Sequence, residues 1–182
     1  MKVFFRSEKE IELFLSRLKL IRCQSCHETE TMVRHGFVRG YISNKKRGIR
    51  RWRIRCKKSP ENNGCGKTPS VCLGDTLPRH WFNTKQLLAF IRALCEYRSV
   101  KAAWEHWPIG LTLDSGYRIF KRLCKCQSIL RTRLCSRAPP PEIKKAGAPL
   151  FQVFTHLEKA FGDDNPIRHF QEHFQKSFLA TT

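Results

Sequence analysis

Four cysteines in two pairs carry the clearest chemistry in this chain. Cys23-Gln24-Ser25-Cys26 is a CxxC step, and Cys56 and Cys65 form a second, wider pair. Four thiolates delivered by two knuckles at the ends of a β-hairpin make the tetrahedral sulfur set that structural zinc prefers. Cys23, Cys26, Cys56 and Cys65 are therefore the candidate ligands of one Zn2+. The residues between the second pair, Lys57 to Gly64, are turn and loop formers that can bulge out and still return a thiolate. Two other readings remain open for these cysteines. A redox CxxC needs a surrounding βαβ pattern, which is missing, and the thiols could be incidental core residues. His27 and His35 could each replace a thiolate, although each also reads as an ordinary polar residue.

Clustered cations are the second chemical signal. From Arg51 to Cys56 the sequence alternates strictly, which places Arg51, Arg53 and Arg55 on one face of a strand and Trp52, Ile54 and Cys56 on the other. Lys45, Lys46 and Arg47 lie at the tip of the preceding hairpin, and guanidinium groups on a rigid strand suit phosphate oxygens. Further on, Arg118, Lys121, Arg122 and Lys125 share one side of an amphipathic helix, at about 100° per residue. The opposite side carries Ile119, Phe120, Leu123, Cys126, Ile129, Leu130 and Leu134. A soluble outer face is the plainer account of each cluster; nucleic-acid contact is the sharper one.

The elements that must position these groups follow from patterning. Ser7-Glu8-Lys9-Glu10 has the form of a capping box, and Ile11, Phe14, Leu15 and Leu18 continue it as a helical stripe. Thr31 to Val38 suits a strand, and Cys72 reads as a buried strand residue. Leu77-Pro78-Arg79-His80 is a hinge. A helix capped by Thr84, a short one capped by Ser99, a turn through Pro108 and Gly110, and the basic helix from Ser115 make the order of a helix-turn-helix. Cys124 and Cys126 point to nearly opposite sides of that helix and cannot grip one metal. The expected fold class is α+β. Residues 1–20 form an N-terminal helix and 21–78 a zinc ribbon with a short antiparallel sheet. Residues 79–137 form the helix-turn-helix, 138–149 a Pro-rich linker and 150–182 a helical hairpin.

A resemblance supports this order. Cys23-x-x-Cys26, Met32-Val33-Arg34-His35-Gly36, Arg51-Trp52-Arg53-Ile54-Arg55-Cys56 and Cys65-Gly66-Lys67 resemble the zinc ribbon at the front of insertion-sequence transposases. They are equally similar to the small zinc-ribbon plus helix-turn-helix proteins that bind insertion-sequence ends. Ser99-Val100-Lys101-Ala102-Ala103 and Ser115-Gly116-Tyr117-Arg118 resemble steps in the same proteins. The likeness spans roughly residues 20 to 135 and brings no catalytic domain with it. It implies a mobile-element setting, such as end binding, target selection or regulation.

Composition bounds the partners. Among 182 residues, 35 Lys and Arg face 15 Asp and Glu, a net charge of +20. Residues 23–75 hold twelve basic and four acidic side chains, residues 76–137 twelve and three, and residues 138–182 five of each. A charge of that size must meet a polyanion or be solvated at a cost in self-repulsion, and double-stranded DNA is the expected partner. No apolar run approaches a membrane-spanning length. Nine cysteines without an export signal argue against a disulfide framework and for a cytoplasmic, nucleoid-associated protein. A transposase or nuclease needs two or three carboxylates around divalent metal, and Asp114, Asp163 and Asp164 have no strand scaffold. The expectation is a DNA-binding protein that is not an enzyme. A catalytically incomplete transposase relative and an RNA-binding zinc-ribbon protein are the alternatives. In the neutral tail, Phe151, Phe154, Leu157 and Phe161 line one helix and Ile167, Phe170, Phe174 and Phe178 the next. Such an aromatic load must pack back on the preceding helices or dock on another chain, and a protein partner or self-association through residues 150–182 is the expected use.

Overall fold

The computed structural model describes residues 2–41, 47–59, 62–107, 112–142, 148–162 and 164–181. The chain is α+β and divides into two compact units, Met1–Thr76 and Leu77–Thr182. The boundary falls beside the hinge read from Leu77-Pro78, and the first helix belongs to the same unit as the sheet.

In the first unit, strands β1 (Lys2–Phe5), β2 (Met32–Tyr41), β3 (Arg47–Cys56) and β6 (Ser70–Leu73) form one sheet in the order β1-β6-β3-β2. The short strands β4 (Lys58–Ser59) and β5 (Asn62–Asn63) pair separately. β2–β3 and β3–β6 are antiparallel, whereas β1 runs parallel to β6. The sheet is therefore mixed rather than antiparallel throughout. Val3-Phe4-Phe5 is built of strand formers and adds to the free edge of β6.

Helix α1 (Glu8–Ser16) is capped by Ser7, whose hydroxyl accepts the Glu10 amide at 3.2 Å. The return bond differs from a strict capping box, because the Glu10 carboxylate accepts from the Arg6 amide at 3.0 Å. Ile11, Leu15 and Leu18, the last on a 3-10 turn (Leu18–Leu20), bury against Met32, Ile54, Cys56 and Val71. Phe14 packs against Phe5 with the rings tilted and their centroids 4.9 Å apart. The alternation in β3 sends Trp52, Ile54 and Cys56 toward this core. Two of the four candidate sulfur ligands, Cys23 and Cys56, are core residues themselves.

The second unit is helical. α2 (Thr84–Tyr97) is capped one residue earlier than expected: Asn83 makes the capping box with Gln86, both bonds being 2.9 Å. Thr84 is instead buried, and its hydroxyl accepts from Asn165 Nδ2 at 2.9 Å. Ser99 caps α3 (Val100–Glu105), and α4 runs from Leu113 to Cys135. The expected turn at Pro108 and Gly110 lies outside the described residues. α5 (Pro149–Phe161) and α6 (Pro166–Phe174) complete the unit.

One apolar core takes Leu87, Ile91 and Leu94 from α2, Trp104 from α3, and Leu123, Cys126, Leu130 and Leu134 from α4. The same core takes Leu150, Val153, Phe154 and Leu157 from α5, and Ile167 and Phe170 from α6. α6 stops at Phe174, four residues short of the expected end. Gln175 turns left-handed there, with φ 51°. Phe178 still reaches the core after that turn, where its amide donates to the Gln171 side-chain oxygen at 3.0 Å. The aromatic load of the tail is thus engaged within this unit. His156 Nε2 lies 2.8 Å from the Ala138 carbonyl and pins the chain leaving α4 onto α5.

Candidate functional site

The four cysteines converge. Cys23 Sγ lies 3.7 Å from Cys65 Sγ and Cys26 Sγ 3.6 Å from Cys56 Sγ, and all four sulfurs lie within 4.8 Å of one another. Sulfurs at the corners of a tetrahedron with Zn–S bonds of ~2.3 Å are about 3.8 Å apart, so the observed spacings suit a four-thiolate metal site. His27 and His35 stand outside this cluster and are exposed.

Each sulfur is presented by a specific local structure. The first knuckle closes when the His27 amide donates to the Cys23 carbonyl at 2.8 Å, and Arg22 Nε donates to the His27 carbonyl at 2.6 Å. The Ser25 amide points at Cys23 Sγ, 3.4 Å away. In the second knuckle β4 pairs with β5, and Cys65 follows with its amide 3.2 Å from Cys56 Sγ. Thr31 Oγ1 sits 3.2 Å from Cys56 Sγ on the other side. Gly64 permits the return, because a Cβ there would lie 2.0 Å from the Lys57 carbonyl oxygen and 2.9 Å from Cys56 Sγ.

The protein surroundings treat the thiols unequally. Burial disfavours the Cys23 thiolate, but the amides of Ser25 and Cys26 and the neighbouring thiols outweigh it and bring the group down to about 7. Burial dominates at Cys56 and holds that thiol at about 11, against the pull of the Thr31 hydroxyl and the Cys65 amide. A cation among the four sulfurs would supply the charge that lets all four ionise together. The donor set can hold a metal ion.

The cationic residues expected on β3 lie on the sheet face away from α1. Strand register puts Arg53 opposite Ser70 and Ser70 opposite Lys2, so Lys2 joins Arg51, Arg53 and Arg55 on that face. Arg51 and Arg53 are half-buried and Arg55 is exposed. Among the described residues, none of the three guanidinium groups is drawn into an ion pair or hydrogen bond. Arg47 is exposed at the start of β3, and Lys45 and Lys46 lie outside the described residues.

On α4, Arg118, Lys121 and Lys125 are exposed, as the helical pattern requires. Arg122 differs. It is half-buried, and its Nε donates to the Leu179 carbonyl at 2.7 Å, tying the end of the chain to α4. All four, together with Arg79, line a cleft of about 820 Å³. His80, Trp81 and Phe82 form an aromatic side of the same cleft. From sequence alone Leu77 to His80 reads as a hinge, and Trp81-Phe82 carries no assigned role. The available signal was an aromatic pair directly after a basic turn. Asp114 is exposed in the first turn of α4, Asp164 is exposed, and Asp163 lies outside the described residues. Cys124 is exposed and Cys126 buried, on different sides of α4. Among the described residues no helix is long and apolar enough to cross a membrane.

No protein-family model, curated protein or solved structure matches this chain.

Proposed function

We propose that the protein is a non-catalytic, double-stranded DNA-binding protein whose sheet unit is pinned by one zinc ion. The row of Arg51, Arg53 and Arg55, none of them paired with a carboxylate among the described residues, carries the reading. Three guanidiniums held at strand spacing self-repel unless an anion meets them, and a phosphate backbone offers anions in a regular row. A closed set of four thiolates suits zinc, and with no open position such a site is structural rather than catalytic. In the second unit, α2, α3 and α4 are read as a helix-turn-helix, with Arg118 and Lys121 on the exposed side of α4 at the groove. The setting implied by the sequence resemblance is a mobile element, in end binding, target selection or regulation.

Contacts on phosphates and contacts on base edges respond differently to substitution. Arg51→Ala and Arg53→Ala should weaken binding to all duplexes alike and flatten the salt dependence by about one counterion each. Arg118→Ala should in addition reduce the preference among sequences, measured on a randomised duplex pool. Duplex affinity unchanged in an Arg51→Ala, Arg53→Ala double variant would sink the reading.

A further inference from the structure

The cleft beside α4 has a composition that a duplex alone does not explain. Five cations converge on it: Arg79, Arg118, Lys121, Arg122 and Lys125, and no carboxylate lines it among the described residues. Its volume of about 820 Å³ lies within the range of roughly 300–1,000 Å³ typical of sites for small organic ligands. A phosphate backbone accounts for the cations, whereas the aromatic side of the cleft offers a stacking contact that the paired, stacked bases of a duplex cannot take. The half-buried Trp81 is held from behind. Its ring meets Phe82 edge-on at 6.3 Å, and Phe82, a core residue, meets Trp107 at 5.8 Å. His80 packs on Phe82 at 5.0 Å. Trp81 thus packs on the core through Phe82 and also lines the cleft.

Arg79 sits at φ 71°, a left-handed conformation uncommon for a non-glycine residue. The turn closes with the His80 amide donating to the Leu77 carbonyl at 3.1 Å. Arg122 Nε donates to the Leu179 carbonyl, which holds the guanidinium beside the cleft. An aromatic platform with cations around it matches a nucleobase and its phosphates, since bases stack on aromatic rings irrespective of sequence. Arg118 and Lys121 belong both to the exposed side of α4 and to the cleft wall, so a strand contacted by α4 leads directly into it.

We infer that this cleft takes an unpaired nucleotide of DNA, with the base on Trp81 and the flanking phosphates on Arg122, Lys125 and Arg79. The inference rests on the duplex-binding reading and narrows it: the preferred ligand is duplex DNA that carries a short unpaired stretch.

Anisotropy titrations would compare a blunt duplex, the same duplex with an unpaired DNA overhang, and the same duplex with an RNA overhang. The DNA overhang should tighten binding about tenfold, within the range of base stacking on one aromatic residue. Trp81→Ala should abolish that gain and leave blunt-duplex affinity unchanged, and Trp81→Phe should keep most of it. Far-UV circular dichroism of each variant separates loss of the platform from loss of the fold. Equal affinity for blunt and overhang duplexes overturns the inference while duplex binding stands. Loss of blunt-duplex binding as well overturns the function proposed above. An overhang gain that survives Trp81→Ala, or that is larger for RNA, overturns the inference alone.

Discussion

At the scale of single residues, the second knuckle depends on what Gly64 lacks. A methyl group there would meet the Lys57 carbonyl and the Cys56 sulfur at once, and one of those contacts is backbone that cannot swing aside. Gly64→Ala should therefore cost about 1–3 kcal/mol of stability and lower metal affinity at least as visibly, read by competition with a chromophoric chelator. Unchanged metal affinity would show that the excursion from Lys57 to Gly64 is looser than drawn. Cys72 makes a different prediction. It is fully buried on β6, and burial pushes its thiol from about 9 to about 11 against the pull of Lys2, Arg51 and Arg50. A raised thiol favours the neutral form in the folded state, so its contribution is complete below pH 9 and is lost as pH climbs from 9 to 11. That loss should amount to about 1–3 kcal/mol. Lysines and tyrosines titrate in the same window, so the measurement is a difference. Urea unfolding of Cys72→Ala should fall less steeply over that window than the parent protein, and parallel slopes would refute the assignment.

At the scale of elements, α4 shows why a glycine sits inside a 23-residue helix. A Cβ on Gly116 would lie 2.7 Å from the Trp104 ring, so the glycine lets α3 approach α4 closely. Alanine normally gains about 1 kcal/mol over glycine in a helix. Gly116→Ala should reverse that sign and lower the melting temperature, because the indole must leave its place against Phe90 and Trp107. A rise in melting temperature would mean that the ring has room to yield. The stripe on α1, the alternation in β3, the Ser99 cap and the apolar side of α4 were legible because each is a local periodicity or a local cap. The four cysteines were legible as a set because ligand type and knuckle spacing survive an inserted hairpin. β1 was not legible: four residues have too short a period, and their partner Ser70–Leu73 is remote in sequence. The choice of Asn83 over Thr84 as cap was equally hidden. Both are good capping residues, and the decision came from Asn165, which claims the Thr84 hydroxyl from far along the chain.

At the scale of the whole chain, two separate apolar cores predict two separate failures. The first is bounded by Cys23, Cys56 and the sheet, and the second joins α2, α3 and α4 to the tail helices. A strong chelator should therefore unfold the sheet unit, with metal binding and folding coupled there, and leave most of the helical signal in place. The tail has the opposite effect. Phe170 is fully buried, with Phe174 at 4.8 Å, Phe178 at 5.3 Å and Phe161 at 6.3 Å. Aromatic anchors at helical spacing looked from sequence like a docking surface because amphipathicity states that a face is covered, not what covers it. Here the cover is intramolecular, so the tail is part of the core that presents α4. Phe170→Ala should cost the second unit about 3–5 kcal/mol, and a chain ending at Arg137 should lose cooperative helical melting. Neither change touches the four cysteines, so stoichiometric metal binding should persist in both. A shortened chain that melts cooperatively at the parent temperature would return the tail to the role of a docking arm.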